Sequence, residues 1–320
     1  MDDQNKIKRN KHFKTIRSSC LLCGDKALSH CYSTEMGNYK HIMALCSQCK
    51  LIQAVETDWP AVTELPTHLV EYHYKKPNES IQVFGCNCND ASLKNHKKKY
   101  SKYISKINKY LHIETGGRLL DVGCSTGHFL EFASQRGFQT VHGIETSPNC
   151  LAFLKQHDYI QGFTSFNQLP ADCTYDVISF MESLMFFVDI NRILHTAFSC
   201  LEPGGILLIE QAVNRGAFFA FVSKLFGFKH YKTGTRLHYW GHRGGVLLMS
   251  PTHLVKFLEK NGFRVLFKTN KWQTPRQKAG FITKMILLII NLSSKLIECI
   301  TFRKLLLSKQ IVVYAQKPSY

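Results

Sequence analysis

Three things this chain of 320 residues does without narrow its reading. Its first 17 residues, MDDQNKIKRNKHFKTIR, contain no apolar core of the kind a secretory leader needs, which points to a cytoplasmic protein. No stretch approaches the roughly 18 apolar residues that span a bilayer. The longest, Met285–Leu292, is interrupted by Asn291 and followed by Ser293, Ser294 and Lys295. It predicts a buried or half-buried helix. Peripheral membrane contact through 281–304 is the alternative, because Lys284, Lys295, Arg303 and Lys304 flank the run. Acidic residues are also scarce, with 23 Asp and Glu against 41 Lys and Arg, a formal charge of +18. Such an excess favours anionic partners without choosing among nucleic acid, phosphorylated metabolites and lipid surfaces. Wholesale disorder is excluded by a 44% hydrophobic composition.

The charge is unevenly placed. Residues 118–210 hold 4 basic and 10 acidic side chains, whereas 94–109 hold seven Lys and no acid, and 260–320 hold 12 basic residues and one acid. An acidic middle is flanked by basic ends.

Twelve cysteines in a chain read as cytoplasmic imply reduced thiols, some of them holding metal. Cys20-Leu-Leu-Cys23 and Cys46-Ser-Gln-Cys49 are two C-x-x-C pairs with 22 residues between them. Each can give two thiolates to one tetrahedral ion, and together they close a four-sulfur Zn²⁺ site with no open position, so the zinc is expected to be structural. Gly24 follows the first pair and suits a tight knuckle turn; Lys50 stands at the same place after the second. Cys86 and Cys88 form a C-x-C pair without a partner knuckle and read as loop thiols. Residues 1–17 read as a basic tail, 18–55 as a zinc ribbon and 56–112 as a connector. The connector ends in a helix over 91–112, whose Tyr100, Tyr103, Ile104, Ile107 and Leu111 recur at helical spacing.

Arg118–Val122 reads as a short strand, followed by the turn Gly123-Cys-Ser-Thr-Gly127 and a helix over 128–136. A Gly-rich turn from strand end to helix start lets backbone N–H groups approach a ligand. A second strand, 140–145, ends in Glu145, 22 residues after Gly123, where an acid takes ribose hydroxyls in doubly wound nucleotide folds. The dinucleotide fingerprint is absent, because Ser125 and His128 stand where its second and third glycines belong. Asp121 at the strand end repels pyrophosphate and suits a cationic ligand carrying an amino group and a ribose. S-adenosylmethionine is such a ligand.

At this point a resemblance enters. LLDVGCSTGHF resembles the first motif of class I S-adenosylmethionine-dependent methyltransferases, with Ser125 replacing the middle glycine. GIETSP (143–148), TYDVISFMESL (174–184) and LEPGGILLIE (201–210) are similar to that family's second, fourth and fifth strand motifs, in order. The resemblance implies an α/β fold over 113–320: a Rossmann-like sheet of seven strands, the last antiparallel, preceded by a small zinc ribbon. It also implies that Asp121, Gly123, Ser125 and Gly127 contact the methionine end of the cofactor, that Glu145 holds its ribose, and that Phe180 and Met181 line the pocket. The ribbon ahead of such a domain resembles a bacterial subgroup tied to sugar and glycan pathways. Two departures stand out. Met185 and Phe186 replace a Glu-His pair common in relatives, and Gly245 stands where relatives often carry a histidine.

Residues 212–249 follow the fifth strand, where the fold commonly builds a substrate cap. They are rich in aromatics, carry six Lys and Arg, and contain no acid. Val213–Phe226 reads as an amphipathic helix and the rest as a loop. If the acceptor arrives protonated, His238, His242 and Glu182 are the available bases. The expectation is methylation of an anionic small molecule or glycan precursor, such as a nucleotide-linked sugar. RNA methylation, gripped by the ribbon and the basic flanks, and a degenerate binding module are the alternatives.

Overall fold

The structure, a computed structural model, describes residues 15–36, 39–57, 90–111, 116–213, 245–271, 280–308 and 310–319. The cap helix expected over Val213–Phe226, together with His238, His242, Cys86 and Cys88, lies outside the described residues apart from Val213.

The N-terminal part is a small antiparallel sheet. β1 (Thr15–Ile16), β2 (Leu28–Met36), β3 (Tyr39–Cys46) and β4 (Ile52–Thr57) lie in the order β1-β4-β3-β2. β2 and β3 form a hairpin that pairs Leu28 with Cys46, so the second C-x-x-C begins where the first strand of the hairpin starts.

Next comes α1 (Asp90–Leu111), which buries Tyr100, Tyr103, Ile104 and Ile107, the stripe read from the spacing. The α/β domain then alternates β5 (Arg118–Val122), α2 (His128–Ser134), β6 (Thr140–Ile144), α3 (Pro148–Leu154), β7 (Ile160–Phe163), β8 (Tyr175–Met181), α4 (Ile190–Cys200) and β9 (Leu201–Ala212). After residues 214–244 come β10 (Leu247–Leu248), α5 (Pro251–Lys260), β11 (Arg264–Asn270), α6 (Phe281–Ile300) and β12 (Gln310–Gln316).

The seven-stranded sheet has the order β11-β12-β9-β8-β5-β6-β7. Strands β7, β6, β5, β8 and β9 run parallel, and β12 lies antiparallel between β9 and β11. The chain reverses direction of build at β5, which has β6 on one side and β8 on the other; ligands of such sheets bind at that crevice, beyond the carboxyl ends of the strands.

Alternate strand residues feed two cores. Leu120, Val122, Ile178, Phe180, Leu207 and Ile209 point toward α4 and α5, while Leu119, Val177, Ile206 and Leu208 point toward α1 and α2. Caps set the helix starts: Asp189 accepts from Arg192 N, and Ser250 and His253 form a reciprocal capping box.

The ribbon is built into the larger domain. Cys20, Leu22, Cys46 and Leu51 share one continuous core with Leu184, Phe187, Leu194, Met249, Leu254 and Phe257. β10, which follows the cap region, adds itself to the ribbon's sheet by pairing Leu247 with Gln53 and Leu248 with Ile52. Backbone oxygens of the first knuckle are held from the α/β side, with Leu21 O accepting from Asn191 Nδ2 at 2.9 Å and from Lys260 Nζ at 3.1 Å.

α6, expected as a buried or half-buried helix, is half-buried, with Ile286, Leu287, Ile290 and Ile297 partly covered. Its most deeply buried residues are polar, though: it turns Asn291, Ser294 and Glu298 onto the sheet, and Met285, Leu288, Ile289, Leu292, Leu296 and Ile300 outward. The cause is its neighbour. Glu298 accepts from Thr269 Oγ1 at 2.6 Å and Asn270 N at 2.9 Å, and Asn270 Nδ2 donates to Ser294 O at 3.1 Å. No helix among the described residues is long and apolar enough to cross a membrane.

Because Leu51 is fully buried in the core common to ribbon and sheet, Leu51→Ala should cost about 2–5 kcal/mol. Denaturant unfolding, followed by far-UV circular dichroism and tryptophan fluorescence, should show that loss in one transition. A separate ribbon transition would contradict the shared core.

Candidate functional site

The four thiols Cys20, Cys23, Cys46 and Cys49 come together at the two knuckles, every sulfur within 4.8 Å of the others. Cys20 Sγ lies 3.5 Å from Cys49 Sγ, and Cys23 Sγ lies 3.6 Å from Cys46 Sγ. A tetrahedral Zn²⁺ with Zn–S near 2.3 Å needs sulfurs about 3.8 Å apart, so the donor set fits such an ion in both chemistry and size. The two turns are built alike. Gly24 N donates to Cys20 O at 2.9 Å with φ +78°, and Lys50 N donates to Cys46 O at 3.1 Å with φ +64°. The second knuckle thus places a lysine in the left-handed conformation that glycine adopts in the first. His253 fastens this knuckle: its Nδ1 accepts from Ser250 N, so Nε2 carries the proton and donates to Cys49 O at 2.7 Å.

The second site lies at the carboxyl ends of β5, β6 and β8. Gly123, Ser125 and Gly127 all have positive φ, at +76°, +53° and +73°. The glycines are required by packing as well as by conformation. A Cβ on Gly123 would sit 2.5 Å from Ser183 Cβ, and one on Gly127 would sit 2.4 Å from Leu154 Cδ2. Ser125 holds the same left-handed geometry at the cost an L side chain carries there.

Glu145, buried at the end of β6, joins the two loops. Its Oε2 accepts from Ser125 N at 2.9 Å, and its Oε1 accepts from Thr146 N at 2.8 Å and Ser147 N at 2.9 Å. Burial raises its pKa against the lowering effect of those three donors. A carboxylate offers about four acceptor sites, so one remains for a ligand hydroxyl. Asp121 is fully buried and accepts from Ser179 Oγ at 2.6 Å; burial pushes its carboxyl up to about 7. Around this cradle the buried hydroxyls Ser125 Oγ, Thr126 Oγ1 and Thr146 Oγ1 have no hydrogen-bond partner among the described residues. Buried polar atoms are seldom left unpaired, and three beside one glycine turn fit a polar ligand.

Asp121, Gly123, Ser125, Gly127 and Glu145 are therefore brought together. Phe180 is fully buried in the core, edge-on to Phe187 at a centroid distance of 6.0 Å, and Met181 is half-buried against the opposite face. Glu182 follows directly at the mouth of β8 with φ +62°. Its N donates to Glu210 O at 2.7 Å, and its Oε1 accepts from Gln310 Nε2 at 2.7 Å. Burial, with Glu210 nearby, pushes Glu182 up to about 7.

Sequence reasoning missed the network beneath it. Glu210 is buried and accepts from Tyr103 OH at 2.7 Å; it pairs with Lys99 at 3.3 Å and with Lys271. Burial alone would raise Glu210, but the ammonium groups of Lys271 and Lys99 outweigh it and hold the carboxyl at about 2. Two neighbouring glutamates thus differ widely in proton affinity. The available signal was a glutamate directly after an apolar run, Ile206-Leu-Leu-Ile-Glu210.

The two departures noted above meet in space. Met185 is buried, its carbonyl accepts from Val246 N at 3.1 Å, and a Cβ on Gly245 would lie 3.4 Å from its Cγ and Sδ.

A doubly wound sheet with a glycine turn at its reversal point, a buried acid on the second strand and orphaned hydroxyls between them defines a nucleotide-cofactor protein. The methyltransferase domain model matches residues 94–267, more than half of the chain, and the chain belongs to that family. It is 30% identical over 124 residues to the methyltransferase GfsG of Streptomyces halstedii, covering 36% of this chain and 45% of that protein. It is 26% identical over 163 residues to a ubiquinone biosynthesis O-methyltransferase of a Bradyrhizobium species, covering 48% and 60%. The chain spans about half the length of the curated relatives it matches. Among solved structures, magnesium protoporphyrin IX methyltransferase from Synechocystis superposes with a TM-score of 0.46 at 13% identity, covering 78% of this chain and 95% of that one.

Ser125→Gly should raise the melting temperature of the ligand-free protein, by about 1 kcal/mol in stability, since it removes the left-handed cost. Gly127→Ala should lower it, because both its φ and the approach of Leu154 oppose a side chain. Thermal unfolding of the pair checks both signs.

Proposed function

We propose that the protein is an S-adenosylmethionine-dependent methyltransferase that methylates a hydroxyl of an anionic small molecule or glycan precursor, such as a nucleotide-linked sugar. The observation that carries the reading is the cradle of Asp121, Glu145 and three unpartnered hydroxyls around the glycine turn. When bound, the cofactor supplies an activated methyl group on a sulfonium. The chain's own residues do the rest. Asp121 and the 123–127 turn hold the cationic methionine end, and Glu145 takes a ribose hydroxyl. Methyl transfer needs alignment above all, and needs a base because a hydroxyl arrives protonated. Glu182, at the mouth of β8 with its carboxyl near 7, is the base in this reading. The names of the ubiquinone-pathway relatives support oxygen as the acceptor atom. The net charge of +18 supports an anionic acceptor. The four-cysteine site is read as structural zinc, held by Cys20, Cys23, Cys46 and Cys49.

Calorimetric titration with S-adenosylmethionine and S-adenosylhomocysteine, with zinc assayed on the same sample, should give micromolar binding and about one zinc per chain. Absence of binding by the folded, zinc-containing protein would defeat the proposal.

The pH dependence follows from the raised carboxyls. In the unfolded chain Asp121 and Glu182 lose their protons near pH 4, whereas in the fold both keep them to about 7. These two carboxyls therefore contribute a loss of stability as pH rises from about 4 to about 7, opposed over the lower part of that window by His96, whose imidazole burial holds at about 4, so Asp121→Asn should reduce the loss. A cationic ligand favours the ionised Asp121, so affinity for S-adenosylmethionine should rise between about pH 6 and 8, and Asp121→Asn should flatten that dependence.

Glu182→Gln should lower kcat on a hydroxyl acceptor by about 10²-fold or more and remove the limb of the kcat–pH profile near 7, with cofactor affinity unchanged. An intact profile in the variant would assign the proton transfer elsewhere.

A further inference from the structure

We propose that the outer face of α6 docks on an anionic phospholipid bilayer, lying along its surface. This stands independently of the cofactor site.

The helix turns a polar line inward beside the half-buried Leu287, Ile290 and Ile297, and its most exposed face is apolar. Its polar residues Asn291, Ser294 and Glu298 are turned to the sheet, and Glu298, 3% exposed, is tied to Thr269, Asn270 and Lys295. Those bonds set the helix's rotation. Rolling the apolar stripe inward would strip a buried carboxylate of its donors and expose nothing better in exchange. Met285, Leu288, Ile289, Leu292, Leu296 and Ile300 therefore form one continuous outward stripe at helical spacing, with Ile289 59%, Leu296 60% and Ile300 66% exposed. Phe302 continues it past the helix end at 87% exposed. A 20-residue helix is about 30 Å long, so the stripe is far larger than the scattered apolar side chains of an ordinary surface.

Charge selects the occupant. Lys284 lies at one end of the stripe, and Lys304 and Arg303, which also pairs with Glu298 at 3.6 Å, lie at the other, all reaching solvent. Across 280–308 the only acid is Glu298, which faces inward. Two copies meeting antiparallel along this stripe would set Lys284 of one against Arg303 and Lys304 of the other, like charge on like. A surface that is apolar beneath and anionic at its rim satisfies stripe and flanks together, as an interfacial helix does in the headgroup region. The helix is not apolar enough to cross the membrane, which leaves it in the plane.

The test is co-sedimentation of the full chain with vesicles of phosphatidylcholine alone and of phosphatidylcholine mixed with phosphatidylglycerol, at low and high salt. The protein should sediment with the anionic vesicles, and salt should weaken the binding without abolishing it. Ile289→Asp with Leu296→Asp should reduce partitioning about tenfold or more. Phe302→Ser, outside the helix, should reduce it by a smaller factor, and it keeps the test open if the double variant fails to fold. Wild-type protein that ignores anionic vesicles would overturn the proposal. So would folded variants that bind like wild type, or a solution dimer that the aspartates dissociate while vesicle binding is unchanged.

Discussion

One buried carboxylate organises the cofactor side of the molecule. Glu145 gathers N–H groups from the glycine turn after β5 and from the turn that starts α3, so two loops from different strands share one anchor. Everything around it follows. Ser125 is held in a conformation it would otherwise avoid, Gly127 must lie against Leu154, and Gly143 must leave room for Cys124, whose sulfur would come within 2.5 Å of a Cβ there. A single glutamate thereby converts two floppy connections into a preformed concavity. The entropy of ordering those loops is spent in folding rather than at the moment of ligand capture.

On the other side of β5 the design is electrostatic contrast. Glu182 and Glu210 are linked by a backbone hydrogen bond, yet one keeps its proton near neutrality and the other is ionised throughout. Lys99 comes from α1 and Lys271 from just after β11, so the ionised partner depends on two elements far apart in the chain. Both ammonium groups also lower Glu182 directly, so loss of either lysine would raise its carboxyl further.

Much of this was legible beforehand, for reasons that can be named. The glycine turn, the terminal acid of β6 and the paired cysteines are local patterns, and local patterns survive in a linear reading. The stripe 100, 103, 104, 107 on α1 is a strong period, and the structure buries it. The orientation of α6 was not legible. Its hydropathy points inward by the usual rule, and the rule fails because Thr269 and Asn270 lie on a strand that only the fold brings beside it. The Tyr103–Glu210–Lys271 network was hidden for the same reason. So was β10, since a two-residue strand carries no period at all. Phe180 illustrates a subtler limit: a strand motif names which residues end the strand, while the pleat decides which of them reaches the pocket and which the core.

β10 also bears on how such a protein could have been assembled. The N-terminal sheet is completed by residues encoded about two hundred positions downstream, beyond residues 214–244. The ribbon and the α/β domain are consequently not exchangeable cassettes. A recombination event joining a foreign ribbon to this domain would bring β4 without its partner strand and leave Leu247 and Leu248 facing an alien edge. Variation among descendants should accordingly be correlated between the 52–53 and 247–248 positions, as though the two ends of the gene had been inherited as one.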